Sequence, residues 1–364
     1  VGALFPNKHT DSETPSTSQG APPQSESFRA AWWCRNPHAQ TIFPNRLRPR
    51  PRLRLSRERI ELPDGDFVDV DWSLNGDGPI VLLLHGLQGS SRSHYARALG
   101  RRFEQAGWRI AVMHFRGCSG EPNRLARSYH SGDTGDIAYV AQLLRQRHPN
   151  TPLAAVGVSL GGNVLLKWLG ETGSANPLVA AVAVSVPFLL NRAADRLETG
   201  FARVYQWDLL VALCHALKVK RRRVPVPLAI ADLSQLRTIR DFDDHVTAPL
   251  HGFRDSTHYY AESSSRQFLR NIRVPTLMIQ ARDDPFMTPD VIPEPSELSL
   301  SSRLEVLPHG GHVGFVGGRW PWNPRYYLEE RIPEFLQTFL VAQARPEPPP
   351  VSCDQELQTS PDVS

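Results

Sequence analysis

The segment Pro152–Glu171, "PLAAVGVSLGGNVLLKWLGE", constrains the fold of this chain more than any other. Its first part is an apolar run of strand length, its second has the apolar spacing of a helix, and only Ser159 stands between them. A strand that passes into a helix without a loop lifts the junction residue above the carboxyl edge of its sheet, provided the turn is tight. Gly157 and Gly161, two residues either side of Ser159, remove the side chains that would clash in such a turn. Ser159 is therefore a candidate nucleophile; the alternative is a glycine-softened junction without chemistry.

The same alternation recurs along the chain. "PIVLLLHG" and "WRIAVMHFRG" read as strands buried on both faces, with helical sequence from His94 to Ala106 between them. Asp136–Arg147 reads as a helix and "LVAAVAVSVP" as a further strand. Upstream, "RLRLSRERIELPDGDFVDVDW" turns at Pro63-Asp64-Gly65 and predicts an antiparallel hairpin at a sheet edge. From about 191 to 271 the strand rhythm stops and the sequence becomes helical and polar, which predicts an inserted helical cap. Strands resume at "VPTLMIQARDD" and "RLEVLPHGGH", and Tyr326–Ala342 reads as a closing helix. The expected class is α/β, with a mostly parallel sheet covered by helices on both faces. The expected organisation is a core over 28–190 and 272–344 interrupted by a cap over 191–271, with disordered tails over 1–27 and 345–364.

Composition excludes several alternatives. With 41 basic and 37 acidic residues the net charge is only +4, so bulk charge implies no nucleic-acid partner. The four cysteines are far apart and lack CxxC spacing, which argues against a structural zinc site or a disulfide scaffold. The longest apolar run, Leu178–Leu190, is shorter than the ~20 residues a membrane span needs. No secretory signal pattern opens the chain, and a cytoplasmic location is expected.

A serine nucleophile needs a base within hydrogen-bond reach and a carboxylate to orient that base. Both are available in late loops: Asp283 and Asp284 in "QARDDPFMTP", and His309 and His312 in "LPHGGHVGF". Gly310 and Gly311 would let His312 bend back towards Ser159, so His312 is the preferred base and His309 is expected to cap the strand end.

Together these stretches resemble the α/β-hydrolase superfamily, and within it the YheT-like branch akin to abhydrolase-domain esterases and lipases. "NPHAQTIFP", "LLLHGLQGSSRSHY", "FRGCSGEPNRLARSYHSGDTGD", "GVSLGGN", "RDDP" and "PHGGHVGF" carry the match, over about 28–341. The resemblance implies an eight-stranded, mostly parallel sheet with a helical cap, and hydrolysis of carboxylic esters, either short-chain esters or acylglycerols, without cofactor or metal. It implies Asp284 as the acid, because the family pattern places that carboxylate directly before a proline, with Asp283 as runner-up. The backbone N–H groups of Leu160 and Leu87 are the expected oxyanion donors. Ala281 departs from the glycine with which many members begin the acid loop.

Other readings stay open. The same triad could serve an acyltransferase or a long-chain lipase, and a non-catalytic binding protein could retain the fold. The seven arginines between Arg46 and Arg59 are expected to form the solvated face of an edge strand whose apolar face carries Leu53 and Leu55. Lys218–Arg223 is expected to be a solvated helix end; the alternatives are contact with anionic lipid or nucleic acid for the arginines, and steering of an acidic substrate or peripheral membrane contact for Lys218–Arg223. Cys118 is read as a loop thiol, and Asp133 and Asp136 as residues that fix the loop after "YHSG".

Overall fold

Five strands are too apolar to face water, and they make the centre of the sheet. These are β3 (Ile80–Leu84), β4 (Arg109–Met113), β5 (Leu153–Val158), β6 (Ala180–Val184) and β7 (Thr276–Ala281). With β1 (Leu55–Glu61), β2 (Phe67–Ser73) and β8 (Ser302–Leu307) they form one eight-stranded sheet, ordered β1-β2-β4-β3-β5-β6-β7-β8. β1–β2 and β2–β4 pair antiparallel; the remaining pairs are parallel. This is the α/β architecture expected from the sequence. The computed structural model of the chain describes residues 28–74 and 76–342. The tails expected over 1–27 and 345–364 lie outside the described residues.

Strand side chains alternate between two cores. Ile80, Leu82 and Leu84 pack under α3 (Gly135–Arg147) and α4 (Leu160–Thr172), while Val81 and Leu83 pack under α2 (His94–Gln105) and α10 (Tyr327–Ala342). Burying each such aliphatic side chain stabilises the fold by about 1.5–3 kcal/mol. Because β3, β5, β6, β7 and β8 run the same way, the loops after them converge on one edge, where α/β sheets bind ligands.

Two expectations about charge hold only in part. On β1, Arg57 lies opposite Asp71 and Arg59 opposite Asp69, with Nε–Oδ1 distances of 2.7 and 2.9 Å. Arg57 and Arg59, still partly solvated, are thus held by carboxylates directly across the ladder, an arrangement that stabilises cross-strand pairs, while Arg46, Arg50, Arg52 and Arg54 are exposed as expected. Leu53 is buried but precedes the strand.

Between β6 and β7 the chain leaves the sheet for α5 (Leu190–Leu197), α6 (Ala202–Arg221), α7 (Ile239–Phe242), α8 (Ala248–His251) and α9 (Ser256–Ser263); one π turn, Asp243–Thr247, joins α7 to α8. Leu210, Leu213, Leu217, Phe242 and Val246 give this insertion its own apolar cluster. The end of α6 is not wholly solvated. Lys220 is buried, and its ammonium donates to Asn123 Oδ1, Arg127 O and Ser128 Oγ, tying the insertion to the loop after β4.

Two elements carried no clear signal in the sequence. α1 (Pro37–Arg46) is started by Asn36, whose side chain accepts the N–H groups of His38 and Ala39. A short hairpin of β9 (Val316–Trp320) and β10 (Asn323–Tyr326) follows the loop that holds His312.

Candidate active site

Ser159 sits at the end of β5 with φ 54° and ψ −119°, a conformation rare outside glycine. The turn depends on the neighbouring glycines. A Cβ on Gly157 would lie 2.5 Å from Gly161 O, and one on Gly161 would lie 2.5 Å from Leu84 O. The backbone is anchored by the bond from Ser159 N–H to Val184 O, so the hydroxyl projects upward from the sheet edge.

The loops after β7 and β8 bring a carboxylate and an imidazole to this hydroxyl. His312 Nε2 is 3.0 Å from Ser159 Oγ, and His312 Nδ1 is 2.8 Å from Asp284 Oδ2. With Nδ1–H donating to the carboxylate, Nε2 presents its lone pair to the serine O–H. Asp284 is buried and also accepts the N–H of Phe286 on Oδ1. The Phe286 ring lies flat on the imidazole, with centroids 4.0 Å apart and planes 5° apart.

The runner-up residues pair with each other instead. Asp283 Oδ2 is 3.0 Å from His309 Nδ1, Asp283 Oδ1 accepts the Gly311 N–H, and Arg35 Nε donates to His309 Nε2. Asp283 therefore braces the loop that carries His312 and makes no contact with the imidazole beside Ser159.

Leu160 opens α4, where the first-turn N–H groups have no helical acceptor. In the loop after β3, two of three consecutive amides are occupied: Gly86 N–H donates to the Tyr95 hydroxyl and Gln88 N–H to the Tyr129 hydroxyl. The amide between them, that of Leu87, has no acceptor among the described residues. Leu87 and Leu160 both line the same cavity as Ser159. Burial pushes His85 down to about 3, so its ring is neutral; Nε2 accepts the Phe115 N–H and Nδ1 faces Gly86 O. Burial likewise pushes the Cys118 thiol up to about 12, far from a thiolate nucleophile.

The sequence missed the parts that hold these loops. The Thr41 hydroxyl accepts His312 N–H, and Gln40 both accepts Val316 N–H and donates to Val316 O. Ser185, at φ 51°, accepts Val313 N–H. The "NPHAQT" stretch is therefore a brace for the histidine loop. In "YHSGDTGD", Tyr129 fixes the loop after β3, Asp133 pairs with Arg127, and Asp136 grips the Arg116 guanidinium with both oxygens.

Above the serine lies a cavity of about 950 Å³, roofed by α5–α8 and lined at the base by Leu87, Ser159, Leu160 and His312. Ligand sites range over about 300–1,000 Å³, so this one is large.

A parallel sheet with a serine elbow on β5, and acid and histidine loops after later strands, defines the α/β hydrolase class of proteins. The family model for the alpha/beta hydrolase fold matches residues 79–318, and the chain belongs to that family. Among curated relatives, YheT of Escherichia coli (strain K12), a protein named for esterase activity, is 44% identical over 85% of this chain and 92% of its own length. Phospholipase ABHD3 of Mus musculus is 29% identical over 88% of this chain and 80% of its own length. The Pyrococcus furiosus esterase Pf2001 superposes with a TM-score of 0.53 at 16% identity, over 89% of this chain and all of that one, which shows the shared fold.

Proposed function

We propose that this chain is a serine-dependent carboxylic ester hydrolase of the esterase and lipase type, with Ser159 as nucleophile, His312 as base and Asp284 as the acid that orients it. The carrying observation is the unbroken row from Ser159 Oγ through His312 to Asp284, at 3.0 and 2.8 Å. In this reading the serine oxygen attacks the ester carbonyl while its proton passes to His312 Nε2. The carbonyl oxygen becomes an oxyanion facing the N–H groups of Leu87 and Leu160, each such donor contributing about 2.7–4 kcal/mol to the transition state. Collapse expels the alcohol, which takes the proton from His312, and leaves an acyl-enzyme. Water, deprotonated by the same imidazole, then attacks the acyl carbonyl and regenerates Ser159 with release of the acid. Asp284 holds the tautomer and stabilises the imidazolium throughout.

The region 191–271 is the cap in this proposal, and its apolar wall sets the acyl group. A cavity of about 950 Å³ favours an acyl chain longer than acetyl, including the acyl groups of glycerol esters. Measuring hydrolysis of a series of acyl esters by the native chain and by Ser159→Ala tests both parts. Loss of about 10⁴-fold or more in kcat/KM is expected for the variant. Unchanged turnover in Ser159→Ala overturns the mechanism; rates that fall steadily as the acyl chain lengthens overturn the acyl assignment. Faster product formation with added alcohol, yielding a new ester, would favour the acyltransferase reading.

A further inference from the structure

The helix that roofs the cavity is apolar on both sides of its first half. α6 buries Leu210, Leu213 and Leu217, yet Val204, Trp207 and Val211 lie on a second, exposed side, spaced three and four residues apart. Trp207 is 66% exposed and Val204 52%, and Phe201, just before the helix, is exposed beside them. A helix with apolar residues on both faces ordinarily has both faces covered. Beside α6 at the cavity lies α1, joined to it by His38, whose ring packs tilted against Phe201 and meets the Tyr205 hydroxyl at 3.1 Å, and by Arg46 and Asp208 at 3.8 Å. Ile42 of α1 and Leu47, at its end, are also exposed. Ile42, Phe201, Val204 and Trp207 line the cavity as well, so the cavity opens within this apolar surface.

On this side of α6 the charges without an ion-pair partner among the described residues are basic. Continuing along the exposed side of α6 come Lys218 and, at the C-cap, Arg222, about 21 and 27 Å beyond Val204 at the helical rise. Arg203 is exposed near the other end. None of these three has an ion-pair partner among the described residues, whereas the one acid in the stripe, Asp208, faces Arg46.

We propose that the exposed face of α6, with the end of α1, docks on an anionic lipid surface, with Phe201, Val204, Trp207 and Val211 entering the headgroup boundary and Lys218, Arg222 and Arg203 meeting the headgroups. An indole at the rim suits that boundary, being apolar with one polar edge. The occupant is a lipid surface and not a second copy of the chain, because a copy seated here would close the mouth of the cavity. A lipid surface would instead present its esters to that mouth. This last step rests on the proposed esterase activity; the docking itself does not.

Co-sedimentation of the full chain with phosphatidylcholine vesicles, with and without phosphatidylglycerol, tests the docking without reference to catalysis. The native chain is expected to bind, more tightly when phosphatidylglycerol is present. Trp207→Ser combined with Val211→Ser should weaken binding by about tenfold or more, given the apolar area withdrawn. Lys218→Glu with Arg222→Glu should weaken binding to the phosphatidylglycerol vesicles by about tenfold or more while leaving binding to phosphatidylcholine alone unchanged. Thermal unfolding checks that each variant is folded, and the charge-reversal pair, at exposed positions, carries the test if the apolar pair is not. The proposal is overturned if the native chain fails to bind either vesicle or if the folded variants bind as it does. Self-association of the native chain that Trp207→Ser abolishes, without vesicle binding, would also overturn it in favour of a second copy. Loss of ester hydrolysis in Ser159→Ala, with vesicle binding intact, keeps this result separate from the catalytic one.

Discussion

At the scale of single residues, two adjacent aspartates have different partners. Asp284 faces His312 at 2.8 Å, and Asp283 faces His309 at 3.0 Å. Asp284→Asn is expected to lower kcat by about 10³–10⁴-fold, because an amide no longer enforces the tautomer with the lone pair towards Ser159. Asp283→Asn should cost much less, about tenfold, through a looser histidine loop. Steady-state kinetics of the two variants decide the matter, and a larger loss for Asp283→Asn would reverse the assignment. Ser159, Asp284 and His312 were legible as candidates because each sits in a local pattern: a glycine-flanked turn, a carboxylate before proline, a histidine after paired glycines. The pairing of Asp283 with His309 was not, since Asp283 stands in the sequence as the alternative acid and His309 as a strand-end cap, and the Arg35 that completes the row is 274 positions from His309.

Elements set the geometry in which those residues meet. The β5–α4 elbow tolerates no side chain at Gly157, where a Cβ would stand 2.5 Å from a backbone oxygen that cannot move aside. Gly157→Ala should therefore destabilise the chain by about 1–3 kcal/mol, read as a lower urea midpoint. In the loop after β3 the Tyr129 hydroxyl accepts Gln88 N–H at 3.0 Å and so helps aim the Leu87 amide. Tyr129→Phe removes that acceptor; a fall in kcat of about tenfold with little change in KM is expected if the amide acts on the oxyanion. An equal effect on KM would mean that the loop merely shapes the cavity. Strands and major helices were legible from periodicity, including the hairpin at Pro63-Asp64-Gly65. α1 was not: it contains Pro44 and has no apolar stripe, and its helical state depends on the Asn36 cap and on contacts with the loop at His312. The β9–β10 hairpin is short and its first strand holds two glycines, which dilutes any alternating pattern.

For the whole molecule, buried histidines set how stability responds to acid. Burial pushes His85 and His94 down to about 3 and His130 to about 2, while unfolding returns each to about 6.5. Below that value the unfolded chain binds more protons than the folded one, so their contribution to stability is lost as pH falls from about 6.5 towards 3. Asp243 acts in the opposite sense. Burial raises its carboxyl to about 6, so between about 4 and 6 the folded state holds a proton that the unfolded state has released. Three sites outweigh one, and the unfolding midpoint is expected to fall between pH 7 and pH 5. A midpoint that rises over that interval would contradict the account. The architecture was legible because strands buried on both faces are written as continuous apolar runs. The cavity was not, because its walls come from α1, the loop after β4 and the insertion, which meet only in three dimensions. In the proposed mechanism the central event is acylation of Ser159 within this assembled site. Intact-mass measurement of the folded chain after treatment with a fluorophosphonate tests this most directly. One adduct is predicted, located on the peptide containing Ser159 and absent from Ser159→Ala; an unlabelled native chain, or a variant labelled to the same extent, would contradict it.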